Sequence, residues 1–128
     1  MSKTLHEQQM MMFTKSNAPK CVLKYVKKGN HLPSEAQVKM FDLDDFTKIV
    51  EEYIKSHFLC YKAEERMIER AGDGLFKKYI QRYSLSTEAQ IKMIELRKCN
   101  FIETYIQYYP LCSKAAEKWE NFKKMDKK

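Results

Sequence analysis

Two segments of this chain are nearly the same. "LPSEAQVKMFDL" runs from Leu32 to Leu43, and "LSTEAQIKMIEL" runs from Leu85 to Leu96, 53 residues later. That offset is two shorter steps. Leu32, Leu59, Leu85 and Leu111 are spaced by 27, 26 and 26 residues, and Tyr25, Tyr53, Tyr79 and Tyr105 by 28, 26 and 26. Each of these tyrosines is followed by Val or Ile. Two more columns keep step. One is Met12, Met40, Met67 and Met93, ending in Trp119; four residues ahead of it stands Gln8, Ala36, Ala63, Ala89 and Ala115. A period of this length with ordered apolar columns marks stacked supersecondary units, each unable to bury its apolar face alone.

Each unit reads as two helices. In the first, the Ala and Met columns are four residues apart and share one face. "SEAQ" (Ser34 to Gln37) and "TEAQ" (Thr87 to Gln90) fit a capping box, a hydroxyl residue followed three later by Glu or Gln. In the second helix the apolar residues four and three before the tyrosine are Cys21–Val22, Ile49–Val50, Leu75–Phe76 and Phe101–Ile102. With the tyrosine and its successor they form a face of period 3.6. In "AGDG", Ala71 to Gly74, Gly72 is suited to closing one helix and Asp73 to capping the next. "DLDD", Asp42 to Asp45, reads as another helix link with caps.

Units at about 5–32, 33–59, 60–85 and 86–111 follow, then a single helix at about 112–124 and a basic tail, 125–128. The expected fold is all-α, one domain over residues 1–128. It is a right-handed α-solenoid-like stack of about four helix pairs plus a C-terminal capping helix that carries Trp119.

Composition agrees. A mass of 15.3 kDa is one domain's worth of chain, and 44% hydrophobic with 32% charged residues is a soluble globular balance. Three Gly and three Pro are few for a turn-rich all-β chain. With no run of about 18 apolar residues, no membrane span is expected. The start, "MSKTLHEQQMMMF", lacks a basic stretch followed by an apolar one, so no secretory signal is expected. Cys21, Cys60, Cys99 and Cys112 form no CxxC pair, and reduced thiols in a cytoplasmic protein are the expectation.

The motif "L-x-x-E-A-Q-x-K-M", followed by "Y-I" and the next leucine, resembles the HEAT-like α-solenoid class in a short, bacterial-looking version with a unit of 26 to 28 residues. The resemblance covers Leu5 to about Phe122. The unit is shorter than the roughly 40-residue HEAT repeat or the roughly 34-residue tetratricopeptide repeat. The Trp-Leu-Gly and Pro signature of the latter is missing. The resemblance implies a binding or scaffolding surface, with no catalytic residues to carry over.

The net charge of +7 belongs to the ends of the chain. Residues 1–32 carry +5 and residues 114–128 carry +3, while 33–113 carry −1. In the first helices Lys39, Arg66 and Lys92, in a column with Lys118, are each followed three residues later by Asp42, Glu69 and Glu95, a spacing for surface ion pairs. The second helices carry a less neutralised ridge of Lys27, Lys28, Lys55 and Arg82, with Lys24, Lys77 and Lys78 nearby and Glu51, Glu52 and Glu103 interrupting it. No aromatic interleaving or glycine-rich phosphate loop accompanies that ridge. Positions that break the columns are the ones the fold does not require. The candidate partner-binding residues are therefore Lys27, Lys28, Lys55, Arg82, Tyr108, Met10 and Met11.

His31 and His57 stand just before the column leucine in successive units and are expected to lie near each other. Two such ligands, with His6 far away, are too few for a zinc site. No Ser-His-Asp, Cys-His or paired-carboxylate constellation recurs at a loop. The expected function is non-enzymatic, a protein–protein interaction or adaptor module, without metal or cofactor and with an acidic protein as partner. The alternative is a nucleic-acid-binding helical-repeat protein using the basic second-helix ridge.

Overall fold

The apolar columns become the core. The structure is a computed structural model describing residues 4–126, and among these it contains no strand. The helices are α1 (Leu5–Met11), α2 (Ala18–Lys27), α3 (Ser34–Met40), α4 (Phe46–Ile54), α5 (Tyr61–Arg70), α6 (Asp73–Ile80), α7 (Thr87–Glu95), α8 (Cys99–Tyr108) and α9 (Ser113–Asp126), with a 3-10 turn at Met12–Thr14. They alternate as the sequence pairs predict. The last helix reaches Asp126, so part of the expected tail is helical. Lys127 and Lys128 lie outside the described residues.

The chain divides into two compact units between Ala63 and Glu64, inside α5. In the first unit, α1 packs on α3, α2 on α4, and α3 on α4. In the second, α6 packs on α8, α7 on α9, and α7 on α8. First helices thus touch first helices, and second helices touch second helices. Ala36, Met40, Ala63, Met67, Ala89, Met93 and Ala115 have no exposed surface. Tyr53, Tyr79 and Tyr105 are equally buried. The columns loosen at their ends, where Gln8 is exposed and Met12, Tyr25, Leu111 and Trp119 are half-buried.

Three local expectations are corrected. The helix starts are not capping boxes. Pro33 and Ser86, each one residue earlier than expected, are the N-caps of α3 and α7, and only Ser86 bonds back, accepting from the Ala89 N–H at 3.2 Å. Gly72 is extended (φ −86°) at the N-cap of α6, where any residue fits, and Asp73 is the first helical residue. Asp45 precedes α4 in the left-handed region (φ 60°) without a side-chain cap bond. Gly29, at φ 84° just past α2, is the glycine whose conformation a side chain would disfavour, and it ends that helix.

Gln37 and Gln90 are buried because they do something other than cap. Gln37 Nε2 donates to the Leu32 carbonyl at 2.8 Å, and its Oε1 accepts from the Cys60 N–H at 2.7 Å. Gln90 repeats this on the Leu85 carbonyl (3.0 Å) and the Cys112 N–H (2.8 Å). The tyrosine hydroxyls complete each clamp. Tyr53 accepts from the Leu32 N–H and Tyr105 from the Leu85 N–H, both at 3.1 Å. Cys60, Ser86 and Cys112 each follow a column leucine, so one buried side chain ties a helix pair to the link that leaves it. The equivalent link residue after the first pair is Pro33, which has no N–H. There Gln9 turns its Nε2 to the His31 carbonyl (2.9 Å) and the Tyr25 hydroxyl (2.7 Å).

Glu64 holds this position in the third pair. Its Oε2 accepts from the Tyr79 hydroxyl at 2.6 Å and its Oε1 from the Ser86 N–H at 2.9 Å. Burial pushes the carboxyl above the ordinary glutamate value of 4.5, outweighing those hydrogen bonds, and the charge of Glu88 acts in the same direction as burial. A carboxyl raised in the fold binds its proton more tightly there than in the unfolded chain. Its stabilising effect is complete below 4.5 and is lost as pH rises through the folded value. Glu64→Gln should remove that loss. The variant should melt higher than the parent at pH 7.5, with the gap closing toward pH 4. Melting curves that stay parallel across this range would show that Glu64 does not titrate with folding.

Candidate interaction surface

With the buried polar side chains committed to the clamps, the surface is where a partner would be met. Lys27 is the last residue of α2 and Lys28 its C-cap; Lys55 is the C-cap of α4. All three are exposed and lie in the first unit. Lys55 Nζ bonds Glu52 Oε1 at 2.9 Å. That bond holds the Glu52 carboxyl below its ordinary range, and the charges of Lys55, Lys27 and Lys48 add to it. Of these lysines only Lys55 touches Glu52; Lys27 and Lys48 act on it through charge.

Arg82 and Tyr108 belong to the second unit and are exposed. The Tyr108 hydroxyl accepts from Gln81 Nε2 at 3.5 Å, which places it beside the end of α6 where Arg82 lies. Met11 is exposed and Met10 half-buried, both in α1. In the first-helix column Lys39 and Lys118 are exposed, but Arg66 and Lys92 are half-buried. The i,i+3 ion pairs of the structure include Lys55–Glu52 and, at 2.8 Å, Lys123–Glu120.

The lysine face of α2 extends the sequence ridge of Lys27 and Lys28, with Lys24 nearby, back to Lys20 and Leu23. A cavity of about 390 Å³ runs along Lys20, Leu23, Lys24, Lys27 and Lys28. A second, of about 290 Å³, shares Lys20 and Leu23 and continues to Pro19, Asp45, Lys48 and Ile49. The signal was available: α2 contains no acid, whereas α4 has Glu51 and Glu52, α6 has Asp73 and α8 has Glu103.

His31 and His57 do lie together, with ring centroids 5.3 Å apart at an interplanar angle of 74°. The Tyr53 ring stacks on His57 at 5.0 Å, and His57 Nε2 lies 3.0 Å from the Gly29 carbonyl. They line a cavity of about 250 Å³ with Gln37, Ser56, Phe58 and Cys60. Among the described residues, no three His, Cys, Asp or Glu side chains are grouped to hold a metal ion. All four cysteines are free. No helix of the described residues is long and apolar enough to cross a membrane.

No protein-family model, curated protein or solved structure matches this chain.

Proposed function

We propose that this chain is a helical-repeat module of the α-solenoid class that works by non-enzymatic protein–protein interaction, as an adaptor or regulator in the cytoplasm. The repeat reading is supported by the same clamp, Leu32–Gln37–Tyr53–Cys60 and Leu85–Gln90–Tyr105–Cys112, in both compact units. The observation that carries the interaction reading is the exposed lysine face of the first unit, which the core does not use. An acidic protein is the partner this charge suits.

The test combines capture and salt titration. With the intact chain as bait in native extract, protein partners should survive nuclease. Reversing Lys27, Lys28, Lys55 and Arg82 to glutamate should slow their association more than it speeds their release. Loss of every partner on nuclease treatment, together with binding to random duplex or single-stranded DNA whose log–log salt slope is about −3 to −4 for four phosphate contacts, would replace this reading with nucleic-acid binding.

A further inference from the structure

Resting on that reading, we propose that the outer face of α2 is the docking site, and that its occupant is a short acidic segment of a partner protein. The segment seats an apolar side chain on Leu23 and its carboxylates on Lys20, Lys24, Lys27 and Lys28.

The face is built by helical spacing. Ala18, Val22 and Val26 are buried, and α2 packs on α4. Lys20, Lys24 and Lys27 fall on the opposite side at i, i+4 and i+7, with Lys28 beside them and all four exposed. Leu23 lies half-buried at the edge of this stripe, on the side toward α4, and lines both cavities, with Ile49 and Pro19 continuing the apolar floor. Lys48 of α4 adds a fifth cation, and Asp45 is the one acid lining either cavity.

None of these five lysines makes an ion pair with a described residue. Lys27 and Lys48 act on Glu52 through charge alone, while Lys55 takes the contact.

Within this stripe the lysines repel one another. Lys20–Lys24 and Lys24–Lys28 are like charges at i,i+4, and Lys24–Lys27 at i,i+3; such pairs destabilise a helix. Helix α2 has no glutamate or aspartate to offset them. The C-terminal end of the helix dipole favours Lys24, Lys27 and Lys28, but their mutual repulsion remains, and an acidic occupant relieves it.

Charge chooses an acidic ligand, and the floor chooses a protein. A recessed aliphatic side chain between lysines takes a leucine or phenylalanine from the partner. Single-stranded nucleic acid seeks aromatic faces on which to stack. A membrane-surface helix presents protruding apolar side chains, not a recessed one. From Lys20 to Lys28 the stripe is about 12 Å long, matched by about two turns of an acidic helix.

The probe is a fluorescent helical peptide of about 14 residues, with glutamates at i,i+4 spacing around a central leucine. Its binding to the full chain is read by fluorescence anisotropy across a salt series. The expected result is saturable binding that weakens at least about tenfold on K24E/K27E and keeps its strength on K24R/K27R. Replacing the peptide's central leucine with serine should also weaken it several-fold. Circular dichroism and melting curves check that both variants fold.

The proposal is overturned if the peptide does not bind, or if K24E/K27E leaves its binding unchanged. It is also overturned if the serine peptide, a DNA oligonucleotide of equal charge or phosphatidylserine vesicles bind as well as the leucine peptide. If the peptide fails while nuclease-resistant protein capture persists and depends on Lys55 and Arg82, only the α2 site falls. Loss of that capture is what defeats the interaction reading itself.

Discussion

A Met67→Ala chain should unfold about 2–5 kcal/mol more easily than the parent. Met67 has no exposed surface, and neither do Ala63, four residues before it on the same helical face, or Ile68 beside it. The small Ala side chain lets helices approach, and the long flexible Met side chain fills the space that remains. Truncating it removes buried apolar surface and leaves a cavity that rigid neighbours close only in part. Lys118, exposed on α9, is the control, and Lys118→Ala should change stability by less than about 0.5 kcal/mol. Urea titration measures both, with a shifted midpoint and an unchanged slope marking a true loss of stability. Similar losses for the two variants would mean that the buried and solvent faces are assigned the wrong way round.

The second large effect is expected at Gln90. Gln90→Leu keeps the volume roughly the same and removes both ends of the clamp. The Leu85 carbonyl and the Cys112 N–H lose their side-chain partner, and the Tyr105 hydroxyl loses the weaker contact at 3.4 Å. Each buried polar group left unpaired costs about 1–3 kcal/mol. The variant should therefore lose about 2–4 kcal/mol despite its greater hydrophobicity. Tyr105→Phe should cost less, about 1 kcal/mol, because it orphans the Leu85 N–H alone. Combined in one chain, the two changes should cost clearly more or less than their sum, since they share the Leu85 link. Strict additivity, or a Gln90→Leu chain as stable as the parent, would show that the buried amide is not holding the link.

In the sequence Gln37 and Gln90 stand as local caps, whereas in the fold their partners are distant. "SEAQ" and "TEAQ" invite a bond to the start of the same helix. The side chains instead reach link amides 22 and 23 residues away. A glutamine on a helix bonds backward or inward according to what packs above it, which local spacing cannot say. The His31–His57 pair was legible for the opposite reason. Both residues occupy one place in the repeat, so their proximity follows from the period.

The lysine site was half legible. Lys27, Lys28 and Lys55 stand out in the sequence because they follow the tyrosine column, whereas nothing in the columns marks Lys20, Leu23 or Lys48. Lys20 and Leu23 precede the tyrosine, and Lys48 reaches the same groove only because α4 packs beside α2.

What the sequence by itself determined is the helical character, the order of the helices and the core columns. Helix period and repeat period are both written in spacing, and burial of an apolar stripe is the strongest force acting on it. What only the tertiary structure decided is where the polar groups go. Hydrogen bonds and charge pairs depend on ångström distances between residues far apart in the chain. Glu64 among three glutamines, Pro33 without its N–H, and the unpaired lysines of α2 acquire their meaning from those distances.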